Sequence, residues 1–226
     1  MKICILTIAT NKYIQFVEEL YNNIEKHFLN GHDIEGIIFT EHEVEVSDNI
    51  KVSKIEHEPW PMPTLKRYNY FMKEAEHISK YDYCFYFDVD MGLVAKVGDE
   101  VLSDLVATMH PYQSFSPKEQ RTYDRNPKSL AYVSPGNEGE HYYAGGFNGG
   151  STKEFLKMSE VIANRVTKEL EHDELKKIIN NKTKILAVTH CSNIVGSINN
   201  LKLISDIAHQ YGTIVIGDAF ENKLPP

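Results

Sequence analysis

Residues 81–91, YDYCFYFDVDM, read as an aromatic β-strand that ends in two acids. In an extended chain, residues i and i+2 point the same way. Asp88 and Asp90 are therefore expected to converge on one side while Val89 goes to the other. Two hard oxygen ligands at a strand end suit Mg²⁺ or Mn²⁺, with water and a diphosphate completing the coordination. The plainer alternative is a pair of solvated acids at a strand terminus. A buried strand that delivers acids to a sheet edge is costly unless a cation compensates them, which favours the metal reading.

Upstream of this strand, ICILTIA (3–9) is a near-continuous apolar run, as in a parallel strand covered on both faces. Tyr13, Phe16, Leu20, Ile24 and Phe28 recur at helical spacing over 13–29, and IEGIIFT (34–40) reads as a second strand. That β-α-β unit makes its two strands parallel neighbours. Residues 41–58 are polar loop with one short strand, IKVSKI. After Pro59, Pro61 and Pro63, Thr64 is placed to N-cap a helix bearing Leu65, Tyr68, Phe71, Met72, Ala75 and Ile78 on one face. Strands alternating with helices point to an α/β nucleotide-binding sheet with its site at the C-terminal edge.

Downstream, residues 109–150 are rich in Tyr, Pro, Gly and Ser and poorly periodic, a length of irregular chain that is usually functional. Helical spacing returns at Phe155, Met158, Val161, Ile162 and Val166, then at Leu175, Ile178 and Ile179. ILAVTH (185–190), LKLISDIAHQYG (201–212) and TIVIGDA (213–219) read as strand, helix and strand, a second β-α-β unit. The 226 residues fit one α/β domain with an appendage. Their net charge of −8 and pI of about 5.7 argue against a nucleic-acid partner. Mean hydropathy is −0.38 and no apolar run approaches the ~20 residues of a spanning helix, so no transmembrane segment is expected. Cys4, Cys84 and Cys191 each sit in or beside an apolar run, which reads as free buried thiols in a reducing, cytoplasmic setting.

TIATNKY (7–13), WPMPTLKRYNYFM (60–72), FYFDVDM (85–91), TMHPY (108–112), TYDRNPKSLAYV (122–133) and HYYAGGFNGGS (141–151) together resemble the family 6 glycosyltransferases, over residues 1 to about 165. The family includes the blood-group A and B transferases and the α-1,3-galactosyltransferases. The resemblance implies a glycosyltransferase A-type sheet, a DxD metal site for Mn²⁺ (or Mg²⁺), and retaining transfer from UDP-GalNAc or UDP-Gal to a galactoside-type acceptor. Carried over by position, Ile8, Ala9, Thr10 and Tyr13 match the segment that holds uracil and ribose. Arg67 matches an arginine that meets the donor near the acids, and Asp88, Val89 and Asp90 are the DxD. Ala144, Gly145 and Gly146 match the motif whose first and third residues choose the C2 substituent; both are small here, which leaves room for N-acetyl. His110 and Thr122 match acceptor-contacting positions.

Beyond that point the chain departs from the pattern. The family follows its GGS helix with Trp-His-Asp-Glu-Ser, whose Glu is the suspected nucleophile or stabiliser. Here the only tryptophan is Trp60, and His172-Asp173-Glu174 is followed by Leu175. Glu174 is either a remnant of that catalytic acid or an acid on a helix. Residues 169–219 resemble an internal piece of class V aminotransferases and cysteine desulfurases, in which Asn193 and Asp218 match pyridoxal-phosphate contacts while Glu221 stands where glutamine is usual. That cofactor's chemistry needs a Schiff-base lysine for which the remaining residues hold no place. The expected organisation is therefore a transferase domain at 1–170 and a β-α-β tail at 171–226. The activity class competing with transfer is a UDP-sugar binder or slow hydrolase lacking the family's acceptor region.

Overall fold

Strand β1 (Lys2–Ile8) occupies the middle of a six-stranded sheet and buries Ile3 to Leu6 completely. The computed structural model describes residues 1–136, 139–179, 182–189 and 201–218. To one side of β1 lie β2 (Asp33–Thr40) and β3 (Ile50–Lys54), and to the other lie β4 (Tyr83–Asp88), β6 (Tyr143–Ser151) and β5 (Val106–Met109). The order is β3-β2-β1-β4-β6-β5; β3, β2, β1 and β4 are parallel, and β6 runs antiparallel to both β4 and β5. This is the α/β architecture expected, with a mixed rather than purely parallel sheet.

The continuous apolar runs have a direct explanation. On one face Ile3, Ile5, Phe85, Phe87 and Val89 pack with Leu20 and Ile24 of α1 (Val17–His27). On the other, Cys4, Leu6, Cys84 and Tyr86 pack with Tyr70 and Phe71 of α3 (Arg67–Lys73), Ile78 of α4 (Ala75–Ile78), and Phe155 of α5 (Thr152–Ile178). Both faces of the sheet are covered, so no residue of these strands is left to be polar by alternation. α1 carries Glu18 and Glu19 in its first turn and Lys26 and His27 in its last, both favourable to its dipole.

Three expectations need correction. The helix read over 13–29 begins as a 3₁₀ segment, Asn11–Phe16, entered at Asn11 with φ 52°, and Tyr13 stays 42% exposed instead of joining the buried stripe. The helix expected from Thr64 starts earlier, at α2 (Met62–Leu65), and is broken at Lys66 and Glu74 into α2, α3 and α4. A proline within the first turn needs no N–H there, which lets the helix begin ahead of Pro63. At both breaks the side chain reaches off the helix, Lys66 to Glu58 at 2.5 Å and Glu74 to Lys51 at 2.5 Å, so tertiary ion pairs override a local period that ran on unbroken. Finally, the supposedly irregular stretch ends in β6, YAGGFNGGS, a central strand. It has no β-branched residue and four glycines, so Tyr143 and Phe147 leave only a weak strand signal. A Cβ on Gly149 would lie 2.5 Å from the Cys84 carbonyl oxygen, so only glycine allows the approach to β4.

The chain divides into two compact units, Met1–Val166 and Thr167–Pro226, whereas the sequence suggested 170/171. The division falls inside α5, one helix where two were read. In the second unit β7 (Ile185–Thr189) and β8 (Ile214–Asp218) are parallel neighbours, with α6 (Leu201–Gln210) between them in the chain, the β-α-β unit anticipated. No helix among the described residues is long and apolar enough to cross a membrane.

Candidate active site

The parallel register of β1 and β4 sets Ile8 directly beside Asp88. Whatever follows β1 therefore emerges next to whatever follows β4, and the two segments singled out from the sequence meet at one sheet edge. A cavity of about 480 Å³ opens there, lined by Ile8, Thr10 and Tyr13 from the first segment, Asp88, Val89 and Asp90 from the second, and Arg67 from α3. Ala9 is fully buried beneath it, its N–H bonded to the Phe39 carbonyl at 3.0 Å. The volume lies within the usual range for a small-molecule site.

Asp88 is the last residue of β4, and the Met91 N–H closes a turn onto its carbonyl at 3.1 Å. The two acids thus reach the cavity from a strand end and the turn after it, not from one extended segment. Val89, although it lines the cavity, is 5% exposed and belongs to the core cluster of Phe85, Phe87 and Phe147. One oxygen of Asp88, Oδ1, receives the Tyr86 hydroxyl and, at 3.3 Å, Nη2 of Arg67. Its Oδ2 accepts no hydrogen bond among the described residues, and Asp90 is exposed. Burial, reinforced by Asp88, pushes the Tyr86 phenol well above its ordinary range, so it stays a donor.

Arg67 is no solvated surface residue. It is 8% exposed, its guanidinium lies 4.2 Å over the Tyr86 ring, and Nη1 donates to the Gly145 carbonyl at 2.5 Å. It therefore ties β4's acid to β6's AGG segment. Gly146 is close-packed: a Cβ there would lie 2.9 Å from the Met91 sulfur and 3.1 Å from Asp88 Oδ2. Ala144, two residues away, shares that strand face. Besides the size selection that the resemblance implies, Gly146 is thus required for the position of the Asp88 carboxylate. Gly146→Ala should displace the Asp88 carboxylate and weaken donor binding in the presence of Mn²⁺ by several-fold, with little change in the ratio of donors used. Calorimetric titration with UDP and Mn²⁺ checks this, and unaltered affinity together with a switched donor ratio would refute it.

His110 and Thr122 are not among the cavity residues; both gather at Tyr142. The His110 N–H donates to the Tyr142 carbonyl at 2.8 Å, its ring meets the Tyr142 ring edge-on at 5.7 Å, and Thr122 Oγ1 lies 2.9 Å from the Tyr142 hydroxyl. His110 Nδ1 accepts the N–H groups of Tyr112 and Gln113 at 3.2 Å each, leaving Nε2 as its outward nitrogen. Glu174 is on α5 in the second unit and Asp218 ends β8; Cys191, Asn193 and Glu221 lie outside the described residues.

Sequence reasoning missed Tyr86, Asn11 and the His57–Trp60 stretch, all cavity-lining. The proline cluster signalled a turn there, but only the position of α2 and α3 at this sheet edge brings it to the site. Two acids brace the mouth. Glu41 accepts the Asn11 N–H at 2.7 Å and lies 3.0 Å from His57 Nδ1, and Glu58 holds Lys66 at 2.5 Å and the Tyr70 hydroxyl at 2.9 Å. Burial pushes both carboxyls up, but these hydrogen bonds and positive neighbours pull further, leaving each below its ordinary value of 4.5. Depressed carboxyls contribute stability that is present above the unfolded value and lost as pH falls through the folded one. The melting temperature should accordingly drop as pH is lowered from about 5 toward about 3, and Glu58→Gln should flatten that slope in a series of thermal melts.

Against this geometry, the sequence model of Glycosyltransferase family 6 matches residues 1–185. The chain belongs to glycosyltransferase family 6. The match extends about twenty residues beyond the motifs, which end near residue 165. Among similar proteins, histo-blood group ABO system transferase 1 of Rattus norvegicus is 34% identical over 160 residues, 65% of this chain and 44% of the relative. Globoside alpha-1,3-N-acetylgalactosaminyltransferase 1 of Gallus gallus is 30% identical over 174 residues, 71% of this chain and 50% of the relative. The O-antigen biosynthesis glycosyltransferase WbnI of Escherichia coli is 26% identical over 183 residues, 79% of this chain and 78% of the relative. The chain thus spans about half the length of the first two curated relatives. A second family model, Aminotransferase class-V, matches residues 157–223, overlapping the first over 157–185 and matching the tail's resemblance.

Proposed function

We propose that this family 6 chain is a retaining hexosyltransferase that uses UDP-GalNAc or UDP-Gal and Mn²⁺ and delivers the sugar to a galactoside-type acceptor. The observation that carries this reading is the single cavity bearing Ile8, Thr10, Tyr13, Arg67, Asp88 and Asp90. The exposed Tyr13 ring offers a flat face for a base, and Ile8 and Thr10 line the cavity with it. The donor set also fits a hard cation: Asp88 Oδ2 and Asp90 are oxygen ligands without a competing hydrogen bond among the described residues. No cluster of three or more His, Cys, Asp or Glu donors is present among those residues, so a diphosphate and water would complete the shell. A cation held there supplies Lewis-acid neutralisation of the leaving diphosphate. Arg67 orients Asp88 for that role, and His110 Nε2 and Thr122 stand as hydrogen-bond partners for acceptor hydroxyls. Glu174, the acid that the resemblance leaves as either a catalytic remnant or a helix acid, is assigned no role in this reading and is tested by Glu174→Gln, which should leave turnover unchanged. The free, fully buried thiols Cys4 and Cys84 support a reducing, cytoplasmic setting.

The test is a donor assay with Mn²⁺, with and without simple galactosides. Sugar transfer that stops in chelator supports the proposal. The second reading, a UDP-sugar binder or slow hydrolase, is favoured by the match of residues 157–223 to a different enzyme family. Hydrolysis alone, or binding without turnover, would establish it in place of transfer.

A further inference from the structure

We infer that Tyr86 is a positioning residue for the cation site: it reserves one oxygen of Asp88, so that the other alone is presented to the metal. This rests on the function proposed above and deepens it. Tyr86 lies inside β4, 2% exposed, two residues before Asp88 on the same side of the strand. Its hydroxyl donates to Asp88 Oδ1. Its ring is held from behind by Phe71, with centroids 5.5 Å apart, and from the side by the Arg67 guanidinium at 4.2 Å. Arg67 is in turn fixed by the Gly145 carbonyl at 2.5 Å and adds its own donor to the same Oδ1 at 3.3 Å.

Two donors converging on one oxygen fix the rotation of the carboxylate and occupy the lone pairs of that oxygen. Asp88, which lines the cavity, is therefore preset to bind through Oδ2, the oxygen left without a hydrogen bond among the described residues. A carboxylate free to rotate would have to be ordered when the metal arrives. Partners that hydrogen-bond a ligating carboxylate orient it, and losing one typically costs about 10–100-fold in metal affinity or activity. Tyr86 meets neither the metal nor the sugar in this scheme; it acts through Asp88.

The experiment uses the full chain with Tyr86→Phe, which keeps the ring, its packing and the Arg67 stack, and removes only the hydroxyl. Mn²⁺ binding is followed by the electron paramagnetic resonance of free Mn²⁺ at saturating UDP, and UDP binding without metal is measured by calorimetry. Asp88→Asn is the reference for the proposed function itself. The expected result is Mn²⁺ binding about tenfold weaker in Tyr86→Phe, UDP affinity without metal within twofold of the parent, and a greater loss in Asp88→Asn. Arg67→Lys, which removes the second donor to Oδ1, should also weaken Mn²⁺ binding, and it serves as the measurement should Tyr86→Phe not fold. Mn²⁺ binding as tight as the parent's in the variants at 86 and 67, with Asp88→Asn impaired, would overturn the role of Tyr86 and leave the metal site standing. An unimpaired Asp88→Asn would remove the metal site and this inference with it. A parallel loss of metal-free UDP binding in Tyr86→Phe would assign the hydroxyl to general packing and refute the positioning role.

Discussion

Asp88→Asn is expected to reduce Mn²⁺-dependent turnover of a UDP-sugar by roughly 10²–10³-fold, since metal stabilisation of leaving-group charge is worth several kcal/mol and each ~1.4 kcal/mol is tenfold. The substitution is a clean one because of how Asp88 is held. An amide oxygen can still accept the Tyr86 hydroxyl and Nη2 of Arg67, so the side chain should keep its orientation. What changes is the position of Oδ2, where an amide nitrogen with two N–H groups replaces an anionic oxygen and cannot ligate a cation. The loss should appear at saturating donor with the melting temperature nearly unchanged, as measured by steady-state kinetics beside thermal melts. Turnover that survives both the substitution and chelation would remove the metal from the proposed function.

The largest structural effect is expected at Phe28. It lies just past the end of α1, fully buried, with its ring 5.2 Å from that of Phe85, 5.1 Å from that of Phe87 and 6.1 Å from that of Phe147, all edge-on. Its neighbours belong to β4 and β6, whose backbones are fixed by the ladder and cannot collapse into a void. Phe28→Ala should therefore cost roughly 3–5 kcal/mol and lower Tm by about 10 °C. Denaturant titration would read it as a shifted midpoint at constant slope. A cost near that of a surface substitution would mean that the aromatic cluster repacks, contrary to its geometry.

Much of this was legible beforehand because two kinds of signal were strong. The apolar runs at 3–9 and 83–87 could only be strands covered on both faces, and the motif residues kept their order and spacing along the chain. Placing Ile8 beside Asp88 then required nothing more than parallel pairing. What stayed hidden had physical reasons. β6 carries four glycines among its nine residues, and what they do is let β4 come close, a property visible only once β4 is beside it. The breaks in the helix read from Thr64 come from ion pairs to residues 8 and 23 positions away, which no local period encodes. Arg67 reads as surface on its own helix and becomes buried only because the Tyr86 ring and the Gly145 carbonyl meet there.

Strand β4 also separates two burdens by parity. Its odd positions, Phe85 and Phe87, serve the aromatic layer on α1's side, while its even positions, Cys84, Tyr86 and Asp88, lead along the opposite face to the cavity. Stability and chemistry are thus written on alternate letters of one short word. Exchanging Phe85 or Phe87 should move folding while sparing the cavity; of the even positions, Cys84 and Tyr86 also belong to the second core, so Asp88 at the strand's end is the one whose exchange should move ligand binding and spare folding. A lineage or a designer could then retune this protein's working temperature at the aromatic positions without touching the acid that ends the same six residues.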